Sequence, residues 1–153
     1  MLGQLFYSLH VLGAVLWVGG MAFALLALRP ALAELEPPAR LALHEGALRR
    51  FFLIVWHAMP ALLLTGWALL FFWYGGFRGA GWHIHLMHGT GLVMAGVFAA
   101  LFLGPWRAFR AKRAAGDLPG AAANAEKVRR LVTVNFALGL LTVAVAAWGR
   151  FGG

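Results

Sequence analysis

Residues 82–103 read Trp82-His83-Ile-His85-Leu-Met87-His88-Gly89-Thr-Gly-Leu-Val-Met94-Ala-Gly-Val-Phe-Ala-Ala-Leu-Phe-Leu103, without a single Asp, Glu, Lys or Arg. As a helix rising 1.5 Å per residue, this stretch is long enough to cross about 30 Å of hydrocarbon. Three more uncharged apolar runs stand on either side of it: Leu5–Leu28, Phe51–Tyr74 and Leu131–Trp148. A lone strand in lipid would leave its backbone polar groups unpaired, so each run is expected to be a helix. The predicted fold is all-α: an integral membrane four-helix transmembrane bundle, one domain over residues 1–153. Its connections are 29–50, 104–130 and the short Gly75–Gly81. Nothing basic precedes the first run and no small-residue cleavage site follows it, so it reads as a helix and not a leader.

The composition agrees. Hydrophobic residues make up 62% of the chain and charged ones 12%, against roughly 45–50% and about 25% in soluble domains. No cysteine is present, which excludes disulfides, thiolate metal sites and a cysteine nucleophile. The five acids (Glu34, Glu36, Glu45, Asp117 and Glu126) all lie outside the apolar runs. That removes a carboxylate proton relay or di-iron site within the bilayer.

The net charge of +8 is placed for a membrane, and no nucleic-acid partner is expected. Arg29, Arg40, Arg49, Arg50, Arg107, Arg110, Lys112, Arg113, Lys127, Arg129 and Arg130 fall on one side, and only Arg78 and Arg150 on the other. The positive-inside rule then puts both termini in the periplasm of a bacterial inner membrane, with the two long connections cytoplasmic. Aromatic residues mark the expected interfaces: Phe71–Tyr74, Phe77, Trp82 and Trp148 outside, and Phe51, Phe52, Trp56, Trp106 and Phe109 inside. The shortness of Gly75–Gly81 predicts that the second and third helices are antiparallel neighbours.

An internal repeat is also legible. Leu9-His10-x-x-Gly13 matches Met87-His88-x-x-Gly91, and His10 precedes Arg29 by the same interval as His88 precedes Arg107. The second and fourth runs each follow an Arg pair and each carry Leu-Leu-Thr, ending at Thr65 and Thr142, though their internal spacings differ. A parallel repeat of two helix pairs would set His10 and His88 at equal depth, facing each other across the bundle.

An imidazole in hydrocarbon needs a partner, so the intramembrane histidines are the first candidates for a site. By helical rise, His10 lies about 9 Å and His88 about 7 Å to the outer side of their helix centres, and His57 about 7 Å to the inner side. Gly13 and Trp17 share a face with His10, and Gly89 lies beside His85 and His88; small residues there let a planar macrocycle lie flat. The leading expectation is a b-type haem held by His10 with His88 or His85, for electron transfer or redox chemistry. A quinone or a periplasmic redox protein would be its partner, and a homo-oligomer is a further arrangement open to such a bundle. The alternative is copper: His83, His85, Met87 and His88 gather imidazole and thioether at the outer mouth, with Met94, Met21, Met59 and His57 lower down, as suits Cu(I). A third reading has the histidines merely packing between helices. Met21, His57 and Asn135 fall at similar inner depth, where a polar packing cluster is expected next to the break at Pro60.

Leu9-His10-x-x-Gly-Ala-Val-Leu-Trp17-Val-Gly19-Gly20 resembles the opening helix of the copper-resistance D family. Arg49-Arg50-Phe51-Phe52, Leu64-Thr65-Gly66-Trp67, Arg129-Arg130-Leu131 and Asn135-Phe-Ala-Leu-Gly139 are similar to the same pattern across the remaining helices. The broader group includes small haem-binding membrane protoporphyrinogen oxidases, so the resemblance implies copper handling or haem-linked oxidation. His10 and Trp17 are the positions that carry over. The oxidase-like members bear a Lys in the third helix, where this chain has His85 or His88 and no Lys in any run.

Overall fold

The computed structural model describes residues 1–151, and those residues form helices without a strand. Helix α1 (Leu2–Phe23) runs through a π-helical turn, Ala24–Leu28, into the short α2 (Arg29–Leu32). Helix α3 spans Pro37–Phe72; α4 (Trp82–Leu101) passes through a second π-helical turn, Phe102–Trp106, into α5 (Arg107–Ala114); α6 spans Leu118–Arg150. Four of these helical segments are long and apolar enough to cross a membrane.

The helices outrun the apolar stretches at the basic end. Helix α3 has 36 residues, about 54 Å of rise, well beyond the hydrocarbon thickness. Hydropathy locates only what lies in lipid; the polar segment before Phe51 continues as helix because Pro37 and Pro38 suit a first turn and Ala, Leu, Arg and Glu are good helix formers. Leu41 and Leu48 on this extension are buried, so it packs rather than waving in water. The connection 104–130 behaves likewise, with Phe109, Ala121 and Val128 buried.

Asp117 starts α6. Its side chain accepts the Gly120 N–H at 2.8 Å and faces Lys112 Nζ at 3.0 Å. The backbone bond first, and the lysine second, hold this carboxyl below its ordinary range. A carboxylate with a lowered folded-state pKa contributes stability above its unfolded value and loses it as pH falls through the folded one. Amide exchange at Gly120 is therefore expected to be pH-insensitive, beyond the intrinsic rate, from neutrality down to about pH 5, and to accelerate at lower pH. Asp117→Ala should show the fast exchange at every pH. A variant as protected as the parent would rule out the cap.

Packing order differs from the expectation drawn from loop length. The close pairs are α1 with α3 and α4 with α6; α1 also touches α6, and α3 meets α4 only sparsely. The loop Trp73–Gly81 turns on Gly75 and Gly76, at φ 69° and 83°, a region that favours glycine. A short loop fixes which helices are joined, but surface fit decides which ones pack. Gly13 meets Leu62 and Gly139 meets Val18, where an added Cβ would in each case stand 2.9 Å from the neighbour. These glycines let α1 close onto α3 and α6.

The structure carries the internal repeat into three dimensions. Two helix hairpins stand side by side, and the π-helical turns Ala24–Leu28 and Phe102–Trp106 follow His10 and His88 at the same interval. Leu41, Leu48, Phe52 and Val55 are buried on α3, and Ala121, Val128, Val132 and Asn135 are buried on α6 with the same spacing. The extra residues of α3, between its Arg pair and Thr65, fall in the segment that carries Pro60.

At the basic half the core is aromatic. Phe52, 1% exposed, meets Trp106 at 5.0 Å, Phe98 at 5.7 Å and Phe102 at 6.2 Å, all edge to face. Phe52, Trp106 and Phe109 were expected on the membrane interface; they are instead sealed inside, because the helical extensions cover that end.

Candidate functional site

His10 stands on the inward side of α1 and reaches α3. Its Nδ1 is 3.0 Å from the Leu62 carbonyl and 3.1 Å from Thr65 Oγ1. A carbonyl only accepts, so Nδ1 carries the proton and Nε2 keeps a free lone pair. Gly66 makes room, since a Cβ there would lie 3.1 Å from the imidazole. Thr65 itself donates to the Ala61 carbonyl at 2.6 Å.

His88 is turned elsewhere. Its ring meets Phe77 at 5.2 Å and Trp67 at 6.4 Å. The buried faces explain this: Gly13, Trp17 and Met21 on α1 correspond to Thr90, Met94 and Phe98 on α4. His10 sits three residues before the first of these and His88 two before. One residue of offset is about 100° of rotation. Among the described residues, no hydrogen bond or ring contact joins His10 to His88.

The same rotation sorts the outer cluster of α4. His85 stacks on Phe77 at 5.8 Å with 25° between planes, so one phenyl ring touches both His85 and His88. These two imidazoles are three residues apart, on one helix face. His83 lies against Gly149 of α6, and its buried Nδ1 has no hydrogen-bond partner among the described residues. Met87 is half-buried and lies two turns from Met94 on the core-facing side. Met94 is 4% exposed and joins a core cluster with Met21 and Trp17, against which Met59 packs. The outer cluster thus divides into an imidazole pair beside Phe77 and a thioether row leading inward.

His57 stands apart from both. It is exposed, with Nδ1 2.8 Å from the Leu53 carbonyl, so that nitrogen is satisfied within its own helix. Asn135 is 2% exposed, donates to the Met94 carbonyl at 3.0 Å and leaves its Oδ1 without a partner among the described residues. The expected cluster of Met21, His57 and Asn135 therefore does not form, since His57 faces outward and Asn135 inward.

The flanking glycines also separate. Gly13 is filled by Leu62, whereas a Cβ on Gly89 would meet nothing within 4 Å. Trp17 is buried edge-on to Phe98 at 6.3 Å. Neither of two clefts of about 530 and 540 Å³ is lined by His10 or by the outer cluster. Among the described residues no group of three or more His, Asp or Glu side chains is positioned to hold a metal ion.

Sequence reasoning did not anticipate Phe77 as the ring between His85 and His88, nor Thr90. The Thr90 hydroxyl donates to the Leu86 carbonyl at 2.9 Å and accepts from Thr142 Oγ1 at 2.7 Å. The repeated Leu-Leu-Thr held the only trace of this pair, and it named just one partner.

A family model described as copper resistance protein D matches residues 45–149. The match includes His57, the whole of α4 and Asn135, and leaves out all of α1, which carries His10, Gly13 and Trp17. No curated protein and no solved structure shows significant similarity to the chain.

Proposed function

The chain belongs to the copper resistance protein D family, and from that premise we propose that it binds copper as cargo within the membrane. The receiving end is the one where both helix hairpins have their free ends, with His85 and His88 as imidazole donors. Met87 and Met94 continue inward as thioether donors. The observation that carries this reading is the family match over the segment where these four residues lie. Imidazole and thioether without thiolate or carboxylate suit Cu(I) and discriminate against hard divalent ions. The basic end would face the cytoplasm of a bacterial inner membrane, by the positive-inside rule.

A b-type haem held by His10 and His88 has less behind it. The free Nε2 of His10 suits an axial ligand, but the family description points to copper, and the two histidines sit on non-equivalent faces of their helices. Quinone or periplasmic redox partners, and protoporphyrinogen oxidation, belong with that reading.

One preparation separates the two. The absorption spectrum of protein purified in detergent is recorded as isolated and after dithionite, and a separate portion is loaded with Cu(I), freed of unbound metal and assayed for copper. Retention of about one copper per chain with a featureless visible spectrum is expected. A Soret band with sharp reduced α and β bands, and no copper retained, would replace copper by haem.

A further inference from the structure

At the basic end a cleft of about 540 Å³ opens between α2, the first turns of α3 and the first half of α6. Its inner wall is apolar, formed by residues such as Leu25, Leu48 and Val132, while Arg29, Arg40, His44 and Arg129 stand around it with Glu126 as the lone acid. Two of the arginines are engaged. Arg40 donates to the Leu35 carbonyl at 2.8 Å and to that of Ala33 at 3.2 Å. Arg129 is held by Glu126, which also receives Arg130. Among the described residues the Arg29 side chain has no hydrogen bond or ion pair, and it shares the cleft with His44.

The place related to this cleft by the repeat is closed by a contact between the two halves. There Glu45 of α3 receives Arg110 at 3.3 Å and also Arg113, both from α5. Glu45 precedes Arg49 by the interval at which Ala125 precedes Arg129, and Ala125 lines the open cleft. Where one of these two repeat-related places has a carboxylate bound by two arginines, the other has the methyl group of Ala125 and an open cleft bordered by the Arg29 guanidinium. Helix α2, with 4 residues against the 8 of α5, is too short to cover the gap.

We propose that this cleft is a site for an anionic phospholipid of the leaflet at the basic end, independent of the copper reading. The lipid phosphate takes the place that Glu45 fills at the repeat-related position, between Arg29 and His44, and an acyl chain follows the wall of Leu25, Leu48 and Val132. A free phosphate would leave most of the volume and the apolar wall unused. A basic pocket between membrane helices is the setting in which lipid headgroups are recognised.

Native mass spectrometry of the full chain in detergent, with equimolar phosphatidylglycerol and phosphatidylcholine of the same acyl chains, tests this. One retained phosphatidylglycerol per chain is expected, with a preference of about tenfold or more over phosphatidylcholine. Arg29→Gln should weaken retention about fivefold. Ala125→Glu, which supplies the missing carboxylate, should abolish it while the thermal unfolding of the protein stays cooperative. Equal retention of the two lipids, or unchanged retention by folded Arg29→Gln and Ala125→Glu, would overturn the proposal. Displacement of phosphatidylglycerol by millimolar inorganic phosphate would overturn it in favour of a free-anion site.

Discussion

Replacing Met87 and Met94 together by Leu is expected to weaken Cu(I) binding on the order of 100-fold, while His57→Ala leaves it unchanged. Outer-shell partners of a metal already carry 10–100-fold effects, and removal of thioether donors should do at least as much. Leu matches Met closely in volume, so even at Met94, 4% exposed, the fold should lose less than about 1.5 kcal/mol. His57 is the control because its Nδ1 is satisfied by Leu53 and its ring is directed away from the bundle. Competition against a Cu(I) chelator reads the affinity, and thermal unfolding reads the fold. A folded double variant that binds as tightly as the parent would remove the thioether row from the proposal. His85→Ala with His88→Ala then tests the imidazole pair, and loss in that variant alone would confine the site to the rings beside Phe77.

Phe52→Ala is expected to lower stability by about 3 kcal/mol, in the range for a buried Phe lost to a cavity. Within lipid the hydrophobic effect drives helices together only weakly, so packing contacts carry the association. Phe52 supplies such contacts to Phe51, Phe98, Phe102 and Trp106. It ties α3 to α4 and to the second π-helical turn, where direct helix contact is otherwise sparse. Leu53→Ala, at a position 60% exposed, removes apolar volume that lipid refills and should change stability little. Thermal unfolding of both variants in one detergent checks the contrast. Equal losses would mean that this end of the bundle is not held by its aromatic cluster.

The segments that enter lipid were legible because partitioning depends on composition along the chain, and 82–103 or 131–148 needs no partner to declare itself. Their true ends were not. Helix α3 begins at Pro37 and α6 at Leu118, since a helix leaving the bilayer can continue on the packing of Leu41, Leu48 and Val128, which hydropathy does not weigh. The repeat was visible in His10, His88 and the two Arg pairs, and the matching π-helical turns give it a structural counterpart. What the repeat suggested about facing histidines did not follow, because equal depth says nothing about azimuth.

The candidate site divides the same way. Sequence alone supplied its chemistry: imidazole and thioether donors in one span, no thiol anywhere and no acid in lipid. It also supplied the family, through short motifs such as Leu64-Thr65-Gly66-Trp67. Which donors stand together was decided by the tertiary structure, through the direction in which each helix turns its face. A one-residue offset rotates His88 by about 100° from the position corresponding to His10, and Gly13 and Gly139 draw α1 onto α3 and α6. Insertion is settled segment by segment, so the sequence can state it. Pairing is settled by angles summed over two helices at once, and only the folded bundle holds those angles.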